Sequence, residues 1–470
     1  MATSVPAGDS VPSSSEAGWR SYLVDLWKAP PKAKAAVAGC LLLMVVSPSG
    51  LSAMTTFVVP AFAHATGVAV PEGILLFVTI PLLIGPITLP FAGRWVDRWG
   101  ARRVAIPSAV VYAALTAVVP LCGFSVPLLA VVLVLAAVFG FMTTLSVVFK
   151  VVSTWLPRHK GIGFALIGVV SSLASAVFSP LFQWLINGDV AVATPGAGAP
   201  PSVSVPAADV FTGLGWNGTY FLMAAVIALV GVPSAVFLIS EPRAPRMTVP
   251  EATRPEKAPG NLPGISLRTA VRTRTWIFIA LFLAFAAAGP MAVRQNAVGF
   301  FGERGFSEAM VSVSLSALFI ASIVGLLLGG LILDRTHRPW VVVPIMAAVP
   351  VGLVIASVNH GSTPLLFVAM ILLGFATGAE SALGPYLIAR YFGLASFAQL
   401  QGLTLALSTL SLGLSPYLIS AGQTATGSYT VPVIALTVLT AVGVVLAALL
   451  PKFPPQWKTD NMPEQVREAA

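Results

Sequence analysis

The amino-acid sequence predicts an all-α membrane protein whose twelve transmembrane helices form two pseudo-symmetric six-helix halves. Three observations carry this reading. First, 57% of the 470 residues are hydrophobic and only 9% are charged, with a mean hydropathy of +0.90. A soluble domain carries about a quarter charged residues, and a single soluble core stops growing near ~250–300 residues. This much apolar surface needs lipid. Second, apolar runs of bilayer-crossing length, about 20 residues each, recur along the chain. Third, charged motifs return at one internal spacing.

The elements follow in chain order. Residues 1–34 are polar and rich in Ser, Pro and Ala, without the short apolar stretch and cleavage site of a signal peptide. They read as a cytoplasmic N-terminal tail. Twelve apolar spans then run over 35–61, 72–93, 104–124, 126–156, 162–187, 218–240, 275–298, 309–333, 340–358, 363–391, 396–421 and 429–450. Residues 35–240 form the first six-helix half and 275–450 the second. Residues 241–274 are polar, basic and Pro-rich, as a cytoplasmic linker should be, and 451–470 form a cytoplasmic C-terminal tail. Residues 188–217, rich in Ala, Val, Pro and Gly, form a long loop on the opposite side.

The charges orient these spans. Of 26 Lys and Arg residues, 23 fall in the tails and in the loops after even-numbered helices, and one, Arg304, lies on the other side. The positive-inside rule puts the crowded side in the cytoplasm. A multi-pass protein of the plasma membrane with both termini inside is expected. The net charge of +9 thus faces a lipid bilayer, and no nucleic-acid partner is expected. Cys40 and Cys122 sit in apolar runs and the four histidines are scattered, which gives no metal-ligand pattern. No phosphate loop of the Gly-x-x-x-x-Gly-Lys type occurs, so ATP is not expected to drive the protein. The spans hold no cluster of nucleophile, base and metal ligands. No enzyme and no cofactor are expected.

The repeat is specific. "GRWVDRWGARR" (93–103) ends helix 2 and "GLILDRTHR" (330–338) ends helix 8. Gly93 and Gly330 are 237 residues apart, as are Asp97 and Asp334. Ser175, Ser179 and Pro180 match Ser411, Ser415 and Pro416 at an offset of 236. Gly93 would let the helix end pack closely on a neighbour. Asp97 can accept from helix N-terminal amides or pair with an arginine. Arg98 and Arg102 sit at headgroup level, and Arg335 takes the matching place beside Asp334. As a group, Gly93, Asp97, Arg98, Arg102, Gly330, Asp334 and Arg335 read as a latch between helices that breaks and reforms, or as topology anchors alone. These stretches resemble the signature of the major facilitator superfamily, the twelve-helix secondary transporters. The resemblance covers the whole chain. A narrower one follows: "WLPRHKGIGFALIGVVSSL" (155–173), "GAESALGPYLIARYFG" (378–393) and "TGSY" (426–429) look like the oxalate/formate antiporter and monocarboxylate porter branch. Ala382 stands where those relatives often carry a second acid, and Asn217 where they often carry Arg.

Three charges lie deep in the spans: Lys150, Arg294 and Glu380. Each costs roughly 2.5–3.5 kcal/mol at a helix centre, so each needs a reason. Lys150 is expected either to snorkel or to bind a carboxylate at the cytoplasmic half of a cavity. Arg294 would grip a carboxylate in a two-bond fork or anchor a pore mouth. Glu380 would carry a coupling proton or partner Arg294. The resemblance implies that helices 4, 7 and 10 line the cavity. Ser49 and Thr55, beside Pro48 and Gly50 in a softened stretch of helix 1, and Gln295 and Asn296 of helix 7 join the candidate binding set. Trp155 and Trp216 are expected at the membrane interface. The function expected is secondary transport of a small organic anion, a mono- or dicarboxylate, coupled to protons or by anion exchange. The alternatives are multidrug or metabolite efflux on the same fold and a non-transporting membrane solute receptor.

Overall fold

The computed structural model describes residues 30–122, 125–143, 147–155, 160–188, 213–240, 264–335, 339–393 and 396–453. Most of the two tails, the 189–212 part of the long loop and residues 241–263 of the linker lie outside the described residues. The described residues are helical throughout, with one isolated bridge between Gly264 and Gly393. They group into helix segments that alternate direction. Nine are long and apolar enough to cross a membrane.

Helix 1 is Pro31–Val45 and Met54–Thr66; helix 2 is Val70–Ile74, a wider turn Leu75–Thr79 and Ile80–Trp99. Helix 3 is Ala101–Val118, helix 4 is Val126–Phe141 with Val147–Trp155, and helix 5 is Lys160–Asn187. Helix 6 starts with Gly215–Val226 and helix 7 is Arg274–Gln295. Helix 8 is Glu308–Arg335, helix 9 Val342–Val358, helix 10 Thr363–Phe392, helix 11 Phe397–Thr426 and helix 12 Thr430–Ala448. Prolines sit at the first turns of helices 1, 4 and 10, where the missing N–H costs nothing. Helices 1 and 11 stop at left-handed Gly67 and Gly427.

Helix 1 is not the continuous span expected over 35–61. It breaks between Val45 and Met54. Pro48 cannot donate, and a Cβ on Gly50 would sit 2.3 Å from the Val45 carbonyl oxygen, so only glycine fits the turn. Ser47 fills in for the lost ladder: its hydroxyl donates to Met44 O at 2.7 Å and accepts from Gly50 N at 3.1 Å.

Two ends of the bundle differ. At the distal end, opposite the described termini, one buried cluster runs from Phe62 and Phe182 of the first six segments to Phe300 and Leu315 of the last six. At the terminal end the buried residues form two clusters. One contains Val151 and Ile239, the other Ile279 and Leu387. Trp216 belongs to the distal cluster. It is only 5% exposed and packs edge-on against Phe62, with ring centroids 5.2 Å apart. The expected interface anchor is therefore a core residue.

Two seams join the first six segments to the last six. Along helices 5 and 8, Ser179 donates to Ser312 O at 2.9 Å and Ser316 to Ala176 O at 2.6 Å. Between helices 2 and 11, Thr79 donates to Gly413 O at 2.8 Å. Thr79 and Ser316 are 237 residues apart, and so are Ala176 and Gly413. The spacing seen in the charged motifs thus recurs in two equivalent contacts, donor matching donor and acceptor matching acceptor. Such bonds contribute about 0.6 kcal/mol each in a membrane. Helices 8 and 10 lie closer still. A Cβ on Gly378 would meet Ser322 O at 1.9 Å, and one on Gly325 would meet Phe375 O at 2.0 Å. Small residues let these backbones touch. Gly93 and Gly330 do not share this role: an added Cβ meets nothing within 4 Å at either among the described residues. The close packing expected of Gly93 is found instead between helices 8 and 10.

Candidate functional site: a central cavity

A cavity of about 340 Å³ lies under the distal core. The break in helix 1 supplies Ser49 and Ser52 to its wall, and the helical segment that follows supplies Thr55. Helix 5 holds that break in place. Ser175 donates to Gly50 O at 3.0 Å and lies 3.2 Å from the Ser52 hydroxyl. Across the cavity, helix 7 supplies Met291, Arg294 and Gln295. Helices 2, 3, 4, 6 and 11 complete the wall with a mostly apolar surface that includes Phe77, Leu133, Phe141, Met223 and Leu412.

Arg294 is the one charged residue among the described lining. Its Nη2 lies 2.8 Å from Met291 Sδ, and its guanidinium stands 5.5 Å from the centre of the Phe319 ring. Its Nε is buried with no hydrogen-bond partner among the described residues. A sulfur and an aromatic face hold the cation in place while leaving donors unspent. Next to it, the Gln295 carbonyl accepts from Thr55 at 3.0 Å and from Thr56 at 3.4 Å, and Thr56 also donates to Arg294 O at 3.2 Å. Helix 1 therefore clamps helix 7 directly beside the cation.

Comparison with known proteins gives this architecture a family. Residues 40–293 and 295–468 match the Major Facilitator Superfamily. The chain belongs to that superfamily. Solved structures agree. A bacterial homolog to the human lysosomal transporter Spinster, inward-facing and occupied, is similar over 92% of this chain and 99% of its own, with TM-score 0.61 and 13% identity. A mutant of the nucleoside transporter NupG is similar over 88% of this chain and 99% of its own, with TM-score 0.64 and 14% identity. At such identities the likeness is one of fold. No curated protein matches.

Within this superfamily fold, the candidate residues separate. Ser49, Thr55, Arg294 and Gln295 line the cavity together. Asn296 lies just beyond it. Its Nδ2 donates to Ala292 O at 3.0 Å and to Pro416 O at 3.1 Å, so it closes the end of helix 7 against helix 11. Lys150 is not in the lining. Its Nζ donates to Val96 O at 2.8 Å, which ties helix 4 to helix 2 at the 93–103 motif. Val96 is the residue before Asp97. A carbonyl oxygen at the ammonium replaces water, and Lys150 lies nine residues along the chain from the cavity wall at Phe141. Glu380 also stands apart from the lining. Two residues before it, Gly378 packs against Ser322 O and Leu326 N of helix 8. No hydrogen bond or ion pair reaches its carboxyl among the described residues, so the expected pairing with Arg294 does not occur. Arg98 and Arg102 are exposed at the terminal end. The side chains of Asp97, Asp334 and Arg335 lie outside the described residues.

Sequence reasoning missed Tyr112 and Thr116 of helix 3, Tyr220 of helix 6 and Phe77 of helix 2, which all line the cavity. They are uncharged and sit in long apolar runs. The available signal was the tyrosine itself, whose hydroxyl needs a partner when the ring is buried.

Proposed function

We propose that this protein is a secondary transporter of a small organic anion, moved across the cytoplasmic membrane by alternating access with proton coupling or anion exchange. The carrying observation is Arg294: a lone cation in a cavity of about 340 Å³, with Nε unpartnered and no acid in the described lining. The volume lies at the small end of ligand sites, roughly 300–1,000 Å³. A charge removed from water needs a counter-charge, and a carboxylate supplies it through a planar fork. One cation favours a monocarboxylate over a dicarboxylate. The oxalate/formate-like motifs support the same class.

With the positive-inside orientation, the terminal end faces the cytoplasm, and the separated terminal cores make this an inward-facing state. The two halves, 35–240 and 275–450, would rock about the cavity. Glu380 is the candidate proton carrier, acting through movement of helices 8 and 10 rather than by touching substrate. The 93–103 and 330–338 motifs would latch the terminal end when it closes.

The test is uptake into proteoliposomes from a panel of labelled carboxylates, with and without a pH gradient. Arg294→Lys keeps the charge and loses the fork, and should weaken affinity by ~1.5–3 kcal/mol. Glu380→Gln should lose gradient-driven accumulation and keep exchange. Impermeant labelling of cysteines placed in 188–217 but not in 241–274 of intact cells checks the orientation. A second reading, efflux of neutral lipophilic compounds, draws on the largely apolar wall. It wins if such compounds compete for the site and Arg294→Gln leaves them unaffected.

A further inference from the structure

The apolar wall contains two oxygens that packing does not require. Phe77 and Phe141 line the cavity as plain rings, whereas positions 112 and 220 carry tyrosines. Tyr112 is 9% exposed and Tyr220 7%. Their surroundings are crowded and fixed. A Cβ on Gly140 would come within 3.1 Å of Tyr112 Cε2. Tyr220 sits beside Phe77 and Trp216, with ring centroids 6.1 and 6.4 Å away. Neither hydroxyl makes a hydrogen bond among the described residues, and neither is sealed away from open space. Both side chains line the cavity, and Tyr112 also borders a smaller space beside Ser47 and Gly140.

Most other hydroxyls of the wall are engaged. Thr55 donates to Gln295, Ser52 meets Ser175, and Thr116 donates to Tyr112 O at 2.7 Å. Ser49 is also unpartnered, but it is less buried than either tyrosine. A buried hydroxyl without a partner costs about 1–3 kcal/mol. Two tyrosines without hydroxyl partners on one cavity wall make a place where a ligand oxygen is worth more than a methyl group.

We propose that Tyr112 and Tyr220 form a second, uncharged polar subsite that takes an oxo or hydroxyl oxygen of the substrate. The inference rests on the anion reading of Arg294 and narrows it: the substrate is a monocarboxylate that carries a second, neutral oxygen function on an apolar body. A second carboxylate would meet no second cation, since Arg294 alone among the described lining is charged, and an unpaired buried carboxylate is strongly disfavoured. A neutral oxygen accepts from phenol hydroxyls at no such cost. The subsite belongs to helices 3 and 6 and the cation to helix 7. A substrate of this kind bridges the two groups of six segments, so its binding energy can act on their closure.

The experiment compares pentanoate with levulinate, the oxo acid of the same chain length, by binding to detergent-purified protein. Three variants are measured beside the parent: Tyr112→Phe, Tyr220→Phe and Arg294→Gln. The expected result is roughly a three- to tenfold preference of the parent for levulinate. Each Phe variant should lose most of that preference while binding pentanoate as the parent does, which also shows that it is folded. Arg294→Gln should lose both ligands. The subsite is overturned if the parent prefers pentanoate, as a donor-free apolar wall would, or if the preference survives in both Phe variants because water alone occupies the hydroxyls. If Arg294→Gln still binds both acids, the anion reading fails separately. If the parent binds neither acid, both fall together.

Discussion

Phe62, Phe300 and Leu315 belong to one buried cluster that crosses the molecule, whereas Val151 and Leu387, just as buried, belong to two clusters that do not join. The distal end is a single packed body and the terminal end is two. The difference is only partly one of composition, although the distal cluster is rich in buried Phe and the cluster around Val151 holds none. It lies in what those side chains meet: at the distal end the partner is the other group of six helices, and at the terminal end it is the helices of the same group. A bundle packed as one at one end and as two at the other has a built-in pivot. Interfaces of this kind switch between discrete packings rather than deform continuously. The cavity sits where the shared core gives way, and Thr55 and Gln295 belong to both its wall and the clamp above it.

The largest expected effect comes from forbidding the distal end to part. A disulfide between Ser179→Cys and Ser312→Cys should bring transport to background under oxidant, with recovery on reduction. Uninterrupted transport by the cross-linked protein would mean that the distal end never opens. Next comes the rigidity that the comparison assumes. Gly378→Leu forces a side chain into the Ser322 carbonyl, where even a Cβ would stand at 1.9 Å. It should lower the melting temperature in detergent by the equivalent of at least ~1–3 kcal/mol. Gly330→Ala, with nothing within 4 Å, should be close to neutral, and equal losses in the two variants would refute the seam.

A smaller effect is expected at the clamp. Gln295→Ala leaves Thr55 and Thr56 without their shared acceptor and should weaken distal closure by about 1–3 kcal/mol. A cysteine probe at the distal end should then label faster, and an unchanged rate would remove Gln295 from the gate. The smallest effect on binding is expected at Lys150. Since its ammonium holds Val96 O at 2.8 Å, Lys150→Met should leave substrate affinity within roughly twofold and lower turnover. A large loss of affinity with turnover intact would return Lys150 to the binding site.

Taken alone, the sequence determined that this chain lives in a bilayer, where its helices run, that it repeats at 237 residues and that Arg294 is a charge in need of a partner. These follow from local quantities: hydropathy over about 20 residues, turn chemistry at Pro48 and Gly50, and the cost of a cation in lipid. The tertiary structure decided which of the three deep charges reach the cavity. Arg294 does, Lys150 turns to a backbone carbonyl, and Glu380 stands outside the described lining. It also made Trp216 a core residue and brought Tyr112 and Tyr220 to one wall. Those outcomes were not legible because every face of a membrane helix is apolar. With no polar face to mark the side that meets water, the direction of each side chain is set only by which neighbouring helix packs closest.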